Sequence, residues 1–247
     1  GNLLEMQDLV PRLQESSGLV ICTGTSAFPS QKWKDSNTPD RVDREAMEEL
    51  VKGLEAATKP PTSELIKNLQ HRKAHIQITG KVETRKIGSW DGTVSFAEKP
   101  QEEGYPQAAR ELPLQKVVYL SSIGVERRNH LQFQLLNSFG VLNAKFQGEE
   151  AIRRGAAACG YDFVLMRAGR VDEATPFLKI PSGVELARGD SAAGNVTSET
   201  VAEAMVQALI RKEASNKELT VINVKGSAPT SQDWIKMMKD ARMPVFV

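Results

Sequence analysis

The chain has 247 residues, 40% of them hydrophobic and 26% charged, proportions of a folded globular protein rather than a disordered or collagen-like one. Its 32 Lys and Arg face 31 Asp and Glu, for a formal net charge of +1, so bulk electrostatics draws it toward neither nucleic acid nor an anionic membrane surface. No apolar run reaches the ~18 residues that a bilayer-spanning helix needs, and the length suits one large α/β domain or two small ones.

Residues 3–15 carry Leu3, Leu4, Met6, Leu9, Val10 and Leu13 at a roughly helical period, ended by Ser16-Ser17-Gly18. LVICTG (19–24) is a short apolar run closed by glycine, the pattern of a strand buried on both faces. A polar loop with two prolines follows (25–43), and either Asp40 or Asp43 is placed to cap a helix over 44–54. Residues 55–113 are the least regular part. They hold Pro60-Pro61, the helix-like SELIKNLQHRK, and an alternating segment (74–96) with turn signals at Thr79-Gly80 and Asp91-Gly92 that favour hairpins. EKPQEEGYPQ (98–107) reads as loop. A connection this long is unusual inside a compact domain. It reads as an insertion with some β structure, a lid or a partner surface, or else as two stretches between which further residues belong.

Regular structure resumes with the strand KVVYLSS (116–122), a loop with Glu126-Arg127-Arg128, a helix around 137–155, a turn at Gly160 and the strand DFVLMRAG (162–169). ELARGDSAAGNV (185–196) reads as irregular or short strand. Ser198 caps an amphipathic helix carrying Val201, Ala202, Ala204, Met205, Ala208 and Leu209. ELTVINV (218–224) is a strand and SQDWIKMMKDA (231–241) a helix. Strands alternating with helices predict a doubly wound parallel sheet of Rossmann type with helices on both faces. Residues 1–247 then form one domain, with 55–113 inserted.

Cys22 and Cys159 lie in or beside apolar runs and are expected to be buried. Their spacing offers no disulfide framework, which suits a soluble protein of a reducing compartment. His71, His75 and His130 show no ligand spacing, so no metal is expected. No targeting segment is legible; the chain opens GNLLEMQD without an initiator Met, as a processed or trimmed product does. HRKAH and KVETRK are mildly basic but lack interleaved stacking aromatics, which argues against nucleic acid. Trp33 and Trp90 read as loop residues, and Arg127-Arg128 and Arg153-Arg154 as solvated faces.

The pattern that bears chemistry runs from Lys116 to Val171. A buried strand ends in Ser121-Ser122, a helix carries Lys145, and a second strand ends in Arg167-Ala168-Gly169. In open α/β sheets, ligands gather at the carboxyl ends of strands. Taken alone, each residue has a plain rival role: a serine pair closes turns, a helix lysine is ordinarily solvated, and Gly24 and Gly169 end their strands.

Together these segments resemble a family. VICTGTSAFPS with NTP and VDREAMEELV, then LSSIGVE, FGVLNAKFQGEEAIRRGAAACGYDFVLMRAGRV and NVTSETVAEAMVQAL, are similar in order and spacing to atypical short-chain dehydrogenase/reductases of NmrA-like type, notably those of plastids and cyanobacteria. The resemblance covers roughly 5–54 and 114–225, not the insertion. It implies an NAD(P)-binding Rossmann fold that transfers hydride between NADPH and a small carbonyl or enone. It places Thr23, Gly24 and Thr25 on the adenosine side of the cleft, Ser122 and Lys145 on the nicotinamide side, and Ser121 among the cofactor-binding residues. Arg167, Ala168, Gly169 and Val171 line the nicotinamide pocket. Ser122 is then the group that polarises a carbonyl and Lys145 the one that holds the ribose.

Two departures stand out. The family's catalytic tyrosine precedes the lysine by four residues, and that position holds Val141, with Tyr119 and Tyr161 in no obvious place to substitute. The phosphate-binding G-x-x-G-x-x-G is absent, and the first strand here resembles the family's fourth. Either the N-terminal βαβ half is missing from this chain or the protein has lost it. NADP(H) or NAD(H) binding is expected when that half is supplied. The rival expectation is a non-catalytic scaffold or assembly factor in a larger complex, binding its protein partner through 55–113. A chloroplast location is implied by the resemblance alone.

Overall fold

A computed structural model describes residues 9–14, 16–25, 37–58, 114–135, 137, 139–171 and 183–241. The chain divides into two units, residues 1–58 with 111–247 and residues 59–110. All of the described residues belong to the first. The expected hairpins of 74–96, and with them Trp33, Trp90, His71 and His75, lie outside the described residues.

Continuous apolar runs make the centre of the sheet. Strands β1 (Gly18–Ile21), β2 (Lys116–Ser122), β3 (Asp162–Ala168), β5 (Gly183–Arg188) and β7 (Lys217–Val224) pair in the order β1-β2-β3-β7-β5. β1, β2, β3 and β7 run parallel, with Val118 opposite Val164 and Ser121 opposite Arg167. Val117–Tyr119 and Val164–Met166 are fully buried, as strands covered on both faces must be. The sheet is not wholly parallel as expected: β5 runs antiparallel to β7, with Leu186 opposite Val221. Only Gly183 and Leu186 of its six residues are buried, as befits an edge strand, which doubly wound sheets tolerate in either direction. The stretch 185–196 thus contains β5 and a short strand β6 (Asn195–Val196), which pairs with β4 (Arg170–Val171) in a separate two-stranded sheet.

Six α-helices are described: α1 (Val10–Gln14), α2 (Ala46–Thr58), α3 (Leu131–Gln134), α4 (Val141–Cys159), α5 (Ser198–Ile210) and α6 (Ser231–Asp240). α1, α2 and α4 cover one face of the sheet, through Leu13, Met47, Leu50, Leu54 and Ile152 against Val117, Tyr119 and Leu165. α5 and α6 cover the other, through Val201, Met205, Trp234 and Met238 against Val118, Val164, Met166 and Leu219. Lys116 Nζ, at the start of β2, donates to the carbonyls of Ala208 and Arg211 at the end of α5, where a cation meets orphan carbonyls and the negative end of the helix dipole. Among the described residues no helix is long and apolar enough to cross a membrane. Leu54 is wholly buried in the first cluster. Leu54→Ala is expected to lower unfolding free energy by about 2–5 kcal/mol, read from urea unfolding; a loss well under 1 kcal/mol contradicts this packing of α2.

Several local expectations are corrected. α2 is preceded by a π-helical turn, Asp40–Glu45, and neither Asp40 nor Asp43 caps it; Pro39 stands at the first position. α2 continues through Thr58, so residues 55–58, read as insertion, are helical. The cap of α5 is Thr197, whose hydroxyl accepts from the Thr200 amide at 3.2 Å, and not Ser198. α4 starts at Val141, after Gly140 (φ 73°), and ends at Gly160 (φ 78°), whose left-handed conformation closes the helix. Cys159 is buried, but Cys22 is exposed past the end of β1, with its thiol against Met205 Sδ at 3.7 Å.

Candidate functional site

The carboxyl ends of β1, β2 and β3 lie side by side on the sheet. Beyond β1 the chain continues as Cys22-Thr23-Gly24-Thr25, and α4 brings Lys145 against it. A Cβ on Gly24 would lie 2.7 Å from Lys145 Nζ. Only a glycine lets backbone and ammonium approach so closely. Two residues expected on opposite sides of the cleft, Gly24 and Lys145, therefore meet.

Lys145 is not a solvated helix lysine. It is 8% exposed, and its Nζ donates to Asp43 Oδ1 at 2.9 Å. Asp43 is itself buried, and its Oδ2 accepts from the Thr25 amide at 3.2 Å and the Thr25 hydroxyl at 2.5 Å. A buried carboxylate is tolerated only when paired and hydrogen-bonded, and both conditions hold. An ammonium carries three donors, and the bond to Asp43 takes one.

On β2, side chains alternate between faces. Tyr119 packs in the cluster with α2 and α4, so Ser121, two residues on, shares the α4 face with Lys145, while Ser122 turns toward the other. Ser122 Oγ donates to the Ile123 carbonyl at 3.2 Å. The hydroxyls of Tyr119 and Ser121 are buried without a hydrogen-bond partner among the described residues. Burial pushes the Tyr119 phenol well above its ordinary pKa, and the Asp43 and Glu149 carboxylates add to the shift, so it stays neutral. Tyr161 donates to the Ile152 carbonyl at 3.1 Å. Val141 is packed into the core.

At the end of β3, Arg167 is fully buried, and its guanidinium is engaged by carboxylates. It meets Glu149 bidentately at 2.9 and 2.7 Å, Glu126 at 2.8 Å and Glu218 at 2.7 Å. Arg153 joins through Glu149, Glu150 and Glu218. Burial alone would raise the Glu218 pKa, but Arg167 and Arg153 outweigh it and hold it below its ordinary value. Ala168 and Gly169 are buried, and a Cβ on Gly169 would lie 2.5 Å from the Gly194 carbonyl oxygen. Val171 is exposed on β4.

The loop after β2 is pinned from across the site. Asp190 accepts from the amides of Gly124 and Glu126 at 2.8 and 3.0 Å and from Arg127 Nη2 at 3.0 Å. Arg127 and Arg128 stack over Phe133 and Phe146. They are structural ties rather than solvated charges. A cavity of about 490 Å³ lies elsewhere, lined among others by Val184, Leu186, Lys225, Lys236 and Met237. The polar groups at the β1–β3 ends outweigh that volume as a candidate site, because two buried ion pairs, Lys145–Asp43 and Arg167–Glu149, and the unpartnered Ser121 hydroxyl belong to these adjacent strand ends and the helix that covers them.

Asp43, Glu149 and Asp190 were not legible as site residues. The signal for the first two was present: Asp43 precedes Met47, Leu50 and Leu54 on the apolar stripe of α2, and Lys145 and Glu149 fall on that of α4 with Val141 and Ile152. A charge on such a stripe must find a buried partner.

No protein-family model and no curated protein matches the sequence. Solved structures do match in fold. One is a protein described as an NAD-dependent epimerase/dehydratase from Bacillus halodurans, with a TM-score of 0.54 at 12% identity, matched over 96% of this chain and 76% of that one. Another is an oxidoreductase from Lactococcus lactis, with a TM-score of 0.53 at 11% identity, matched over 97% of this chain and 75% of that one. At such identities the likeness establishes the fold, a mostly parallel Rossmann-type α/β sheet, and leaves the site to be argued from its residues.

Proposed function

We propose that this Rossmann-type chain binds a nicotinamide dinucleotide across the carboxyl ends of β1, β2 and β3, as part of a reductase-like protein. The observation that carries this reading is the convergence of Gly24, Lys145 and Ser121 at adjacent strand ends. Gly24 lets the Lys145 ammonium approach the strand end, Lys145 keeps two donors beyond its Asp43 bond among the described residues, and Ser121 presents a buried hydroxyl with no partner among them. Such a set suits the hydroxyls and amide of a nicotinamide riboside, since an unsatisfied buried donor gains most from a ligand acceptor. The dinucleotide would supply hydride for a small carbonyl or enone. Lys145 would hold the ribose, Thr23–Thr25 would border the adenosine side, Ser122 would orient the substrate, and Ala168, Gly169 and Val171 would line the ring pocket. Arg167 supports that pocket from behind through Glu149 and Glu126. The choice between NADP and NAD lies with residues outside these strand ends.

A second reading has its own observation. Val141 fills the position where a phenolic acid would stand, and Lys145 is already paired with Asp43, so the described residues supply no phenol at that position to deliver a proton to a reduced oxygen. A non-catalytic scaffold or assembly factor, in a chloroplast complex or elsewhere and bound through 55–113, accounts for that loss.

Titration of the purified chain with NADPH and NADH, followed by cofactor fluorescence, tests the first reading. Saturable binding of one cofactor, weakened in Lys145→Met, is the expected result. A well-folded chain that binds neither favours the scaffold, and capture of a protein partner that is lost on deleting 59–113 would then support it.

A further inference from the structure

Asp43 is a buried carboxylate just before α2, and the fold spends both of its oxygens. Oδ1 takes the Lys145 ammonium at 2.9 Å, and Oδ2 takes the amide and hydroxyl of Thr25. One side chain thus ties the end of β1 to the middle of α4. Its backbone lies in the π-helical turn Asp40–Glu45, an irregularity that recurs at functional sites. Glycines stand at two contact points around it. Gly24 faces Lys145 Nζ, and Gly148, one turn along α4 from Lys145, faces the Asp43 carbonyl and the Tyr119 hydroxyl. The pair is therefore set by closely packed backbone rather than by two flexible side chains meeting at a surface.

Building on the dinucleotide reading, we propose that Asp43 is a positioning residue. It holds the Lys145 ammonium at the Thr23–Thr25 strand end, so that the remaining two donors meet vicinal hydroxyls of a ligand. Without Asp43 the lysine stem has four rotatable bonds and no fixed direction. With it, the ammonium is aimed before the ligand arrives, and less rotamer freedom is lost on binding. Thr25 is part of the same device, because its hydroxyl and amide fix the carboxylate plane.

The test separates aiming from mere support of the fold. NADPH, which carries the riboside next to Lys145, is compared with adenosine 2′,5′-bisphosphate, which does not reach it. Asp43→Asn is expected to weaken NADPH by roughly tenfold or more, the value of a charge-assisted bond, and to leave the adenosine fragment unchanged. Lys145→Gln added to Asp43→Asn is expected to weaken NADPH little further, since the two act as one unit. Should Asp43→Asn fail to fold, Thr25→Val, which removes one bond to the carboxylate, is expected to give a smaller split in the same direction. Equal weakening of NADPH and the fragment, or no change in either, overturns the positioning role while the dinucleotide reading stands. A wild-type chain that binds neither NADPH nor NADH refutes the dinucleotide reading itself, and reduces Asp43–Lys145 to a structural tie; one that binds NADH alone is tested in the same way with NADH against AMP.

Discussion

Arg167→Met is expected to be among the most damaging single changes in the chain. Arg167 and Glu149 are both fully buried, and Glu149 meets the guanidinium through both oxygens. Removing the arginine leaves that buried carboxylate, among the described residues, with the single bond from Arg153 at 3.1 Å. Breaking a buried pair by deleting one partner costs about 3–5 kcal/mol, which for a chain of this size lowers the thermal midpoint by roughly 10 °C. The charge is the cause rather than the lost volume, because methionine fills most of the space. Glu149→Gln introduced into Arg167→Met is therefore expected to restore part of the loss. Arg167→Lys does not substitute, since one ammonium cannot serve Glu149 bidentately together with Glu126 and Glu218. A loss under ~1 kcal/mol in Arg167→Met contradicts the network.

The same cluster sets an acid limit. Glu218 has a folded pKa held below its ordinary 4.5. A carboxylate of this kind contributes stability that is fully present above its unfolded value and is lost as pH falls through the folded one. The wild-type chain is expected to lose stability on acidification below about pH 4.5, and Arg167→Met to flatten that dependence, as followed by urea midpoints against pH.

Gly148→Ala is expected to destabilise, against the usual sign. In an ordinary helix interior, alanine is better than glycine by about 0.8–1 kcal/mol. Here the added methyl would lie 2.8 Å from the Tyr119 hydroxyl and nearer still to the Asp43 carbonyl oxygen. That oxygen is backbone of the π-helical turn and has little freedom to move. Overpacking of this kind costs about 1–3 kcal/mol, which exceeds the propensity gain. The strain also pushes the turn away from α4, so affinity for a dinucleotide falls with stability. A variant more stable than wild type contradicts the close approach of α4 to the turn.

The strands were legible where burial is two-sided. KVVYLSS, DFVLMRAG and ELTVINV are runs of apolar residues closed by polar or small ones, and each is found as a strand within a residue of its expected bounds. The direction of β5 was not legible, because half-buried edge strands read alike whether parallel or antiparallel. Asp43 was misread for a physical reason. An acid shortly before an apolar period is ordinarily a cap, and a π-helical turn adds a residue that a 3.6 period does not anticipate. Arg167 is implied as pocket lining by the family resemblance. Its partners Glu126, Glu149 and Glu218 come from a loop, a helix and a distant strand, and no local pattern announces such a meeting. Ser121, Ser122 and Lys145 were legible as candidates, but the face each serine turns to emerges only with the strand register.

Hydrogen–deuterium exchange with and without saturating NADPH, and likewise NADH, tests the central claim most directly, because it reports where a ligand sits. The account predicts slowed exchange at the amides of 22–25, 121–124 and 168–171. Absence of protection there, or protection confined to the cavity lined by Val184, Leu186, Lys225 and Met237, would contradict a dinucleotide site at the ends of β1, β2 and β3.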